Sequence, residues 1–241
     1  MTIISNTHRY IFLKTRKTAG TSIEKWLCGA LQEGDKIATA PENLPLPVGF
    51  WDTSNEVSHF KVGERIVKQF CCHVLGRPIG TMLREHMRAA AVKDLVGEEA
   101  WGTYRKYCVE RDPWDRMLSF WRWRQVREKV ELEFDAFLDM IEQSPNSSLV
   151  RGYSNYLMYT IDGKLAVDRV LSFRDLHQDL QKMCDELGLP LSPETLPFQK
   201  AGHRTREDSA AGLTAAQVER ISCLCQAEID LFGWDFGKEY G

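Results

Sequence analysis

Tyr10-Ile11-Phe12-Leu13 is a run of four apolar residues set in polar chain, the pattern of a short strand buried on both faces. After a polar stretch from Lys14 to Gly20, residues Ile23, Trp26, Leu27, Ala30 and Leu31 recur at i, i+3, i+4, i+7 and i+8. That spacing predicts one face of a helix, with Gly34 as its stop. The chain therefore opens as strand, loop, helix. Residues 35–65 hold Pro41, Pro45, Pro47, Gly49 and Gly63 with little periodicity, and predict an irregular excursion carrying Phe50 and Trp51. A second strand is expected near Gln69–His73. Beyond it come a helix over Ala89–Val96 stopped by Gly97, and a helical turn from Glu98 through Tyr104.

Tyr107-Cys108-Val109 is a third apolar run, and Asp112-Pro113 follows it with an acceptor at the cap and proline at the first helical position. Met117, Leu118, Trp121 and the stem of Arg124 continue the inner face of that helix. Glu131–Ile141 is amphipathic, and Val167–Phe173 predicts a fourth strand. Ser172-x-x-Asp175 is a loose capping box before a helix through Leu176, Leu180, Met183 and Leu187, ending at Gly188. Thr214-x-x-Gln217 is a fuller one, flanked by Leu213 and Val218 at staple positions, ahead of a final helix through Phe232. Strands alternating with helices and no repeat predict one α/β domain over residues 1–241, a central parallel sheet flanked by helices.

The chain has 241 residues, 43% hydrophobic and 27% charged, enough to build a core without disulfides or a metal. Its net charge of −3, from 31 basic and 34 acidic residues, argues against a nucleic-acid partner. Locally the balance reverses. Between His8 and Lys25 stand Arg9, Lys14, Arg16, Lys17 and Lys25 against Glu24 alone. The seven cysteines (Cys28, Cys71, Cys72, Cys108, Cys184, Cys223 and Cys225) are odd in number and form no C-x-x-C pair. Adjacent side chains of Cys71-Cys72-His73 on a strand point to opposite faces, so buried structural thiols are expected rather than a metal site. Met1–Leu13 carries Asn6, His8 and Arg9 and no long apolar run, so neither a signal peptide nor a membrane span is expected. A reducing cytoplasm fits these features.

Lys14-Thr15-Arg16-Lys17-Thr18-Ala19-Gly20-Thr21-Ser22 joins a buried strand to a helix. The first N–H groups of a helix have no internal partner, and its dipole adds positive potential at the same place. Three cations (Lys14, Arg16, Lys17) and three hydroxyls (Thr18, Thr21, Ser22) surround that start, and Gly20 would let backbone approach a ligand. Such a loop suits phosphate or sulfate; a capped helix start with solvated lysines is the plain alternative. A P-loop kinase would need its lysine after the last glycine, and here Lys17 precedes Gly20.

The run from Phe12 to Ile23 resembles the 5′-phosphosulfate-binding loop of the sulfotransferases that use 3′-phosphoadenosine 5′-phosphosulfate (PAPS), with Arg16 where proline is usual. Tyr107-Cys108-Val109-Glu110-Arg111-Asp112-Pro113-Trp114-Asp115-Arg116-Met117-Leu118-Ser119 is similar to the 3′-phosphate motif of the same family, with Asp112 for asparagine. Val167–Leu176 and Ile229–Phe236 resemble later segments of the carbohydrate-type, bacterial branch, and the likeness is weakest over residues 35–80. It implies a P-loop-like α/β fold and a PAPS site made by Arg16, Lys17, Thr18, Ala19, Gly20, Thr21 and Ser22 at the 5′ end. Arg111 and Ser119 would hold the 3′-phosphate, although Arg111 could equally form an ion pair with Asp115 and Ser119 could simply pack. Adenosine 3′,5′-bisphosphate would be the product and no metal would be needed.

In-line sulfuryl transfer parallels phosphoryl transfer and needs a base for the acceptor hydroxyl and a cation at the leaving oxygen. Of His8, His59, His73, His86, His177 and His203, the resemblance singles out His86, which stands 25 residues before Arg111. Its neighbour Glu85 is the alternative base, and Lys17 is the candidate for the leaving oxygen. A second basic run, Lys200–Arg206, could close Arg204 over the nucleotide, engage an acidic acceptor, or be a solvated loop. The acceptor implied is a hydroxyl-bearing carbohydrate or small metabolite. Trp51, Phe50 and Trp121–Trp123 could stack on sugar rings, but core packing is the favoured role for most of them. A P-loop nucleotide kinase and a non-catalytic nucleotide- or anion-binding protein on the same scaffold are the competing functions.

Overall fold

The run Tyr10–Leu13 forms a strand with all four residues buried, as a strand covered on both faces must be. The computed structural model describes residues 2–38, 51–52, 83, 85–147, 152–197 and 209–240. The expected strand near Gln69–His73 lies outside them, as do Phe50, His59, His203 and Arg204. Six strands form the main sheet: β1 (Ile3–Ser5), β2 (Tyr10–Leu13), β3 (Lys36–Ile37), β4 (Trp51–Asp52), β5 (Arg105–Glu110) and β8 (Arg169–Ser172). Their spatial order is β4-β3-β1-β2-β5-β8.

The fold is α/β, but its sheet is mixed where a parallel one is expected. β2 runs parallel to β5, with Tyr10 opposite Arg105 and Leu13 opposite Cys108. β1 is antiparallel to both β2 and β3. The reason is connection length. Only Asn6–Arg9 separate β1 from β2, which allows a hairpin and forbids a crossover. Asp35 seals that corner: its carboxylate accepts from Ser5 Oγ at 3.0 Å, Thr7 N–H at 3.1 Å and Gln32 N–H at 3.0 Å.

The chain divides into two compact units. The first comprises Met1–Thr15, Ala19–Val109 and Leu157–Pro197; the second comprises Arg16–Thr18, Glu110–Tyr156 and Phe198–Gly241. In the first, the sheet is accompanied by α1 (Gly20–Leu27), α2 (Ala89–Thr103) and α6 (Leu176–Leu187). α1 ends earlier than its periodicity predicts. It passes into a 3₁₀ turn at Cys28–Ala30, and Gly34, at φ 86°, belongs to the next turn. Gly97, at φ 83° and ψ 163°, interrupts α2 where the stop is expected. Gly188 ends α6 in the left-handed conformation. The one-turn α5 (Tyr156–Tyr159) leads into a small hairpin, β6 (Thr160–Ile161) and β7 (Lys164–Leu165). Its turn residues Asp162 and Gly163 both have positive φ, as a tight hairpin requires.

The second unit is helical: α3 (Pro113–Glu128), α4 (Phe134–Gln143), α7 (Ala215–Leu224), α8 (Gln226–Phe232) and α9 (Phe236–Tyr240). Trp114, Met117, Leu118 and Phe120 of α3 pack with Phe134, Phe137, Leu138 and Ile141 of α4 and Ile221 of α7. Each such burial is worth about 1.5–3 kcal/mol, so this face holds the helices together. Both caps predicted in this unit are present, whereas the Ser172-x-x-Asp175 box predicted for α6 does not cap it: that helix starts after Asp175 with no side-chain cap bond. Asp112 Oδ1 accepts from Asp115 N–H at 2.9 Å. Thr214 and Gln217 make both bonds of the capping box, at 3.3 and 3.1 Å. The predicted final helix is broken at Cys225, whose φ of −115° separates α7 from α8.

Cys28, Cys108, Cys184 and Cys225 are buried free thiols, whereas Cys223 is exposed, contrary to expectation. Among the described residues no His, Cys, Asp and Glu group could hold a metal, and no helix is long and apolar enough to cross a membrane.

Candidate functional site

Between β2 and α1 the chain makes a turn that departs from its expected form at the first residue. Lys14 is 6% exposed, and its ammonium donates to Glu24 Oε2 at 3.0 Å, with Glu85 Oε1 at 3.6 Å. Burial works against its charge, but Glu24 and Glu85 outweigh that and raise its pKa. Lys14 is thus absorbed by an internal ion pair rather than arranged with Arg16 and Lys17 around an anion. Gly20 also has a packing task. A Cβ there would lie 2.8 Å from Lys14 Cγ and 2.9 Å from Cε, so the glycine makes room for the lysine stem.

Past Thr15, whose hydroxyl donates to the Val109 carbonyl, come Arg16 and Lys17, both half-buried, and Thr18, which is buried. Lys17 and Ala19 are left-handed, at φ 62° and 58°, a conformation that costs a residue with a Cβ about 1 kcal/mol or more. α1 then begins with Ala19 as N-cap, no side-chain cap bond and no acidic residue in its first turn. Its Ser22 and Ile23 N–H groups donate to the Ala19 carbonyl at 2.9 and 3.2 Å. Thr21 is exposed and Ser22 buried.

In the second unit Lys17 lies with its ammonium 5.5 Å from the ring centre of Trp123, and the guanidinium of Arg127 lies 4.9 Å from that centre. Trp123 also stacks on Phe120, with 5.9 Å between centroids. Trp121 serves the core: its Nε1 donates to the Leu132 carbonyl at 2.7 Å, and its ring meets Phe134 edge-on.

Arg111 leaves the end of β5 and is 4% exposed. Its Nε donates to Asp115 Oδ2 at 2.7 Å, Nη2 reaches the same oxygen, and Nη1 donates to the Lys17 carbonyl at 3.3 Å. The alternative of an ion pair with Asp115 is therefore present in the structure, together with a tie to the turn. Ser119 lies half-buried on α3.

Behind Arg16 is a cluster that sequence patterns do not disclose. Glu110 and Glu228 are buried on either side of Arg116, which donates to Glu110 Oε1 at 2.8 Å and bonds Glu228 Oε2. Glu110 Oε1 also accepts from Arg111 N–H at 2.8 Å and from Asn155 Nδ2 at 3.2 Å. Burial pushes the Glu110 carboxyl up to about 7; Arg116 opposes this and Glu228 adds to it.

His86 belongs to the first unit, is half-buried, and has a left-handed backbone at φ 53°. Its Nδ1 lies 3.0 Å from the Lys14 carbonyl. A carbonyl can only accept, so the neutral ring carries its proton on Nδ1 and its lone pair on Nε2. Burial disfavours ionisation of Glu85, but Lys14 and His86 outweigh it and hold the carboxyl below its ordinary range. The site residues fall into two groups: Arg16, Lys17, Thr18, Arg111 and Ser119 in the second unit, and Ala19, Gly20, Thr21, Ser22 and His86 in the first.

No model of a known protein family matches the chain. An uncharacterized protein of Archaeoglobus fulgidus is 25% identical over 108 residues, 43% of this chain and 84% of that protein. The crystal structure of a sulfotransferase from Alicyclobacillus acidocaldarius is 18% identical, covering 89% of this chain and 94% of its own, with a TM-score of 0.37.

Proposed function

We propose that the chain is a sulfotransferase that takes a sulfuryl group from PAPS and passes it to the hydroxyl of a carbohydrate or small metabolite. The observation that carries this is the segment Arg16–Ser22. It places two cationic side chains on a strained turn and leads into a helix start with neither a side-chain cap nor a first-turn carboxylate. Such a start suits a bound anion. Arg16, Lys17, Thr18 and the Ala19–Ser22 helix start would hold the phosphosulfate end, and Arg111 with Ser119 the 3′-phosphate. Arg204 would join them from the Lys200–Arg206 run. The donor supplies an activated sulfuryl group; no metal is required for that chemistry.

His86 acts as the base: its Nδ1–H is held by the Lys14 carbonyl, and Nε2 takes the acceptor's proton. Glu85 is the weaker candidate, because Lys14 keeps it ionised and so lowers its proton affinity. Lys17 steadies the charge that develops on the departing oxygen. The buried thiols fit a reducing cytoplasm.

The Arg111–Asp115 pair favours a second reading, a non-catalytic anion-binding protein in which Arg111 is structural. Three measurements separate the two. Calorimetry should show adenosine 3′,5′-bisphosphate binding much more tightly than 5′-AMP or ATP. Arg111→Ala should cost about 1.5–3 kcal/mol for that ligand and little for one lacking the 3′-phosphate; equal losses would make Arg111 structural. In a labelled-sulfate transfer screen run with PAPS and with ATP, His86→Ala should lower turnover by about 10²–10⁴-fold while sparing bisphosphate affinity. Near-normal turnover in that variant would remove His86 from the mechanism.

A further inference from the structure

The turn that carries Arg16 and Lys17 is gripped from behind by Asn155, a fully buried residue in the unremarkable stretch Ser154-Asn155-Tyr156. Asn155 Oδ1 accepts from Arg16 N–H at 2.9 Å, and Nδ2 donates to the Arg16 carbonyl at 3.1 Å. One carboxamide thus pairs with both polar backbone groups of a single residue, which fixes its position and orientation much as a neighbouring strand would. The same Nδ2 donates to Glu110 Oε1 at 3.2 Å, and the Asn155 N–H donates to Glu228 Oε1 at 2.8 Å. Arg116 bridges those two carboxylates. The Arg16 peptide is therefore tied through one side chain to a buried charged cluster, and buried networks of this kind enforce a single geometry.

We infer that Asn155 is a positioning residue for the anion loop, setting the Arg16–Lys17 backbone in the shape that receives the phosphosulfate. The inference rests on the sulfotransferase reading of that loop. Position 155 needs one acceptor and two donors at carboxamide reach, and asparagine is the side chain that supplies them. Aspartate has the same shape but loses both donors and places a third carboxylate beside Glu110 and Glu228. Serine is too short to span the Arg16 peptide.

The test uses the full chain as wild type, Asn155→Ala and Asn155→Asp. Each is melted, titrated with adenosine 3′,5′-bisphosphate well below its melting temperature, and assayed for transfer. Asn155→Ala should weaken bisphosphate binding by about tenfold or more, equivalent to losing one or two buried hydrogen bonds. The donor KM should rise more than kcat falls, because the bound donor restores part of the turn. Asn155→Asp should bind more weakly still, despite its matching shape. Unchanged affinity in a folded Asn155→Ala protein overturns the inference, whatever happens to its melting temperature. Should neither variant fold, amide hydrogen exchange on the wild type decides: Arg16 N–H protected as deeply as β2 supports the clamp, and exchange at the rate of an open loop overturns it. A wild type that ignores the bisphosphate would sink the sulfotransferase reading instead, and the Arg16 exchange rate would still report on the clamp.

Discussion

Lys14 and Arg116 are both buried cations set against carboxylates, yet Glu85 beside Lys14 is held below its ordinary range and Glu110 beside Arg116 is pushed above it. Lys14 faces one buried partner, Glu24, and one that is 51% exposed, Glu85. Its own pKa rises and the Glu85 carboxyl falls, so that both groups stay ionised around neutrality. Arg116 faces two buried carboxylates, Glu110 and Glu228. One guanidinium cannot compensate two negative charges away from water, and Glu110 is pushed up to about 7. Having a salt-bridge partner does not decide the ionisation of a buried carboxylate; the balance of charge within the desolvated volume does. The two clusters also hold different parts of one loop. Lys14 anchors its entrance, and the Arg116 cluster reaches its middle through Asn155 and Arg16.

The largest effect should come from removing the cation that two carboxylates share. Arg116→Met should cost about 4–5 kcal/mol at pH 8, the upper part of the range for a broken buried pair, since two charges are stranded. Urea unfolding with an unchanged m-value would measure it. A loss under about 1 kcal/mol would mean the carboxylates are neutralised cheaply, and the contrast with Lys14 would collapse.

Lys14→Met should cost less, about 3 kcal/mol, because it takes the cation from one buried carboxylate, Glu24, while Glu85 can turn to water. It should also return Glu85 towards an ordinary carboxyl pKa, visible by NMR titration. If Lys14→Met proves the more damaging of the two substitutions, charge balance is not what distinguishes the clusters.

What the sequence discloses here depends on range. Asp112-Pro113 and Thr214-x-x-Gln217 act over three residues, and both form their predicted caps. Gly97 and Gly188 stop their helices through their own backbone freedom. The apolar run Tyr107-Cys108-Val109 marks β5, but Glu110 beside it reads as a polar strand end. Nothing local says that it is buried: Arg116 stands six residues on, but Asn155, which donates to it, and Glu228, which shares Arg116 with it, come from distant parts of the chain. Asn155 meets Arg16 across 139 residues, and no short pattern carries that. Lys14 misleads for the same reason: read locally it is one more loop cation, while Glu24 and Glu85 claim it in the fold. The cap chemistry and the cationic turn are therefore legible, and the devices that hold the turn are not.

The smallest effect is the most specific to the charge imbalance. Glu110 has a folded pKa near 7, above its ordinary value of 4.5. Between those values the folded state binds more protons than the unfolded one, so stability must fall as pH rises through that window and level off above it. Below the window Glu110 is protonated in both states and the penalty vanishes. Glu110→Gln removes the titration and keeps an oxygen at the position that accepts from Arg111, Arg116 and Asn155. Relative to wild type the variant should therefore gain about 2 kcal/mol between pH 5 and pH 8, less than the full shift because relaxation of the site softens the penalty. Chemical denaturation at half-unit pH steps would trace this difference. A gap that stays constant with pH, or that widens on acidification, would show that Glu110 is ionised throughout and that the Arg116 cluster is balanced after all.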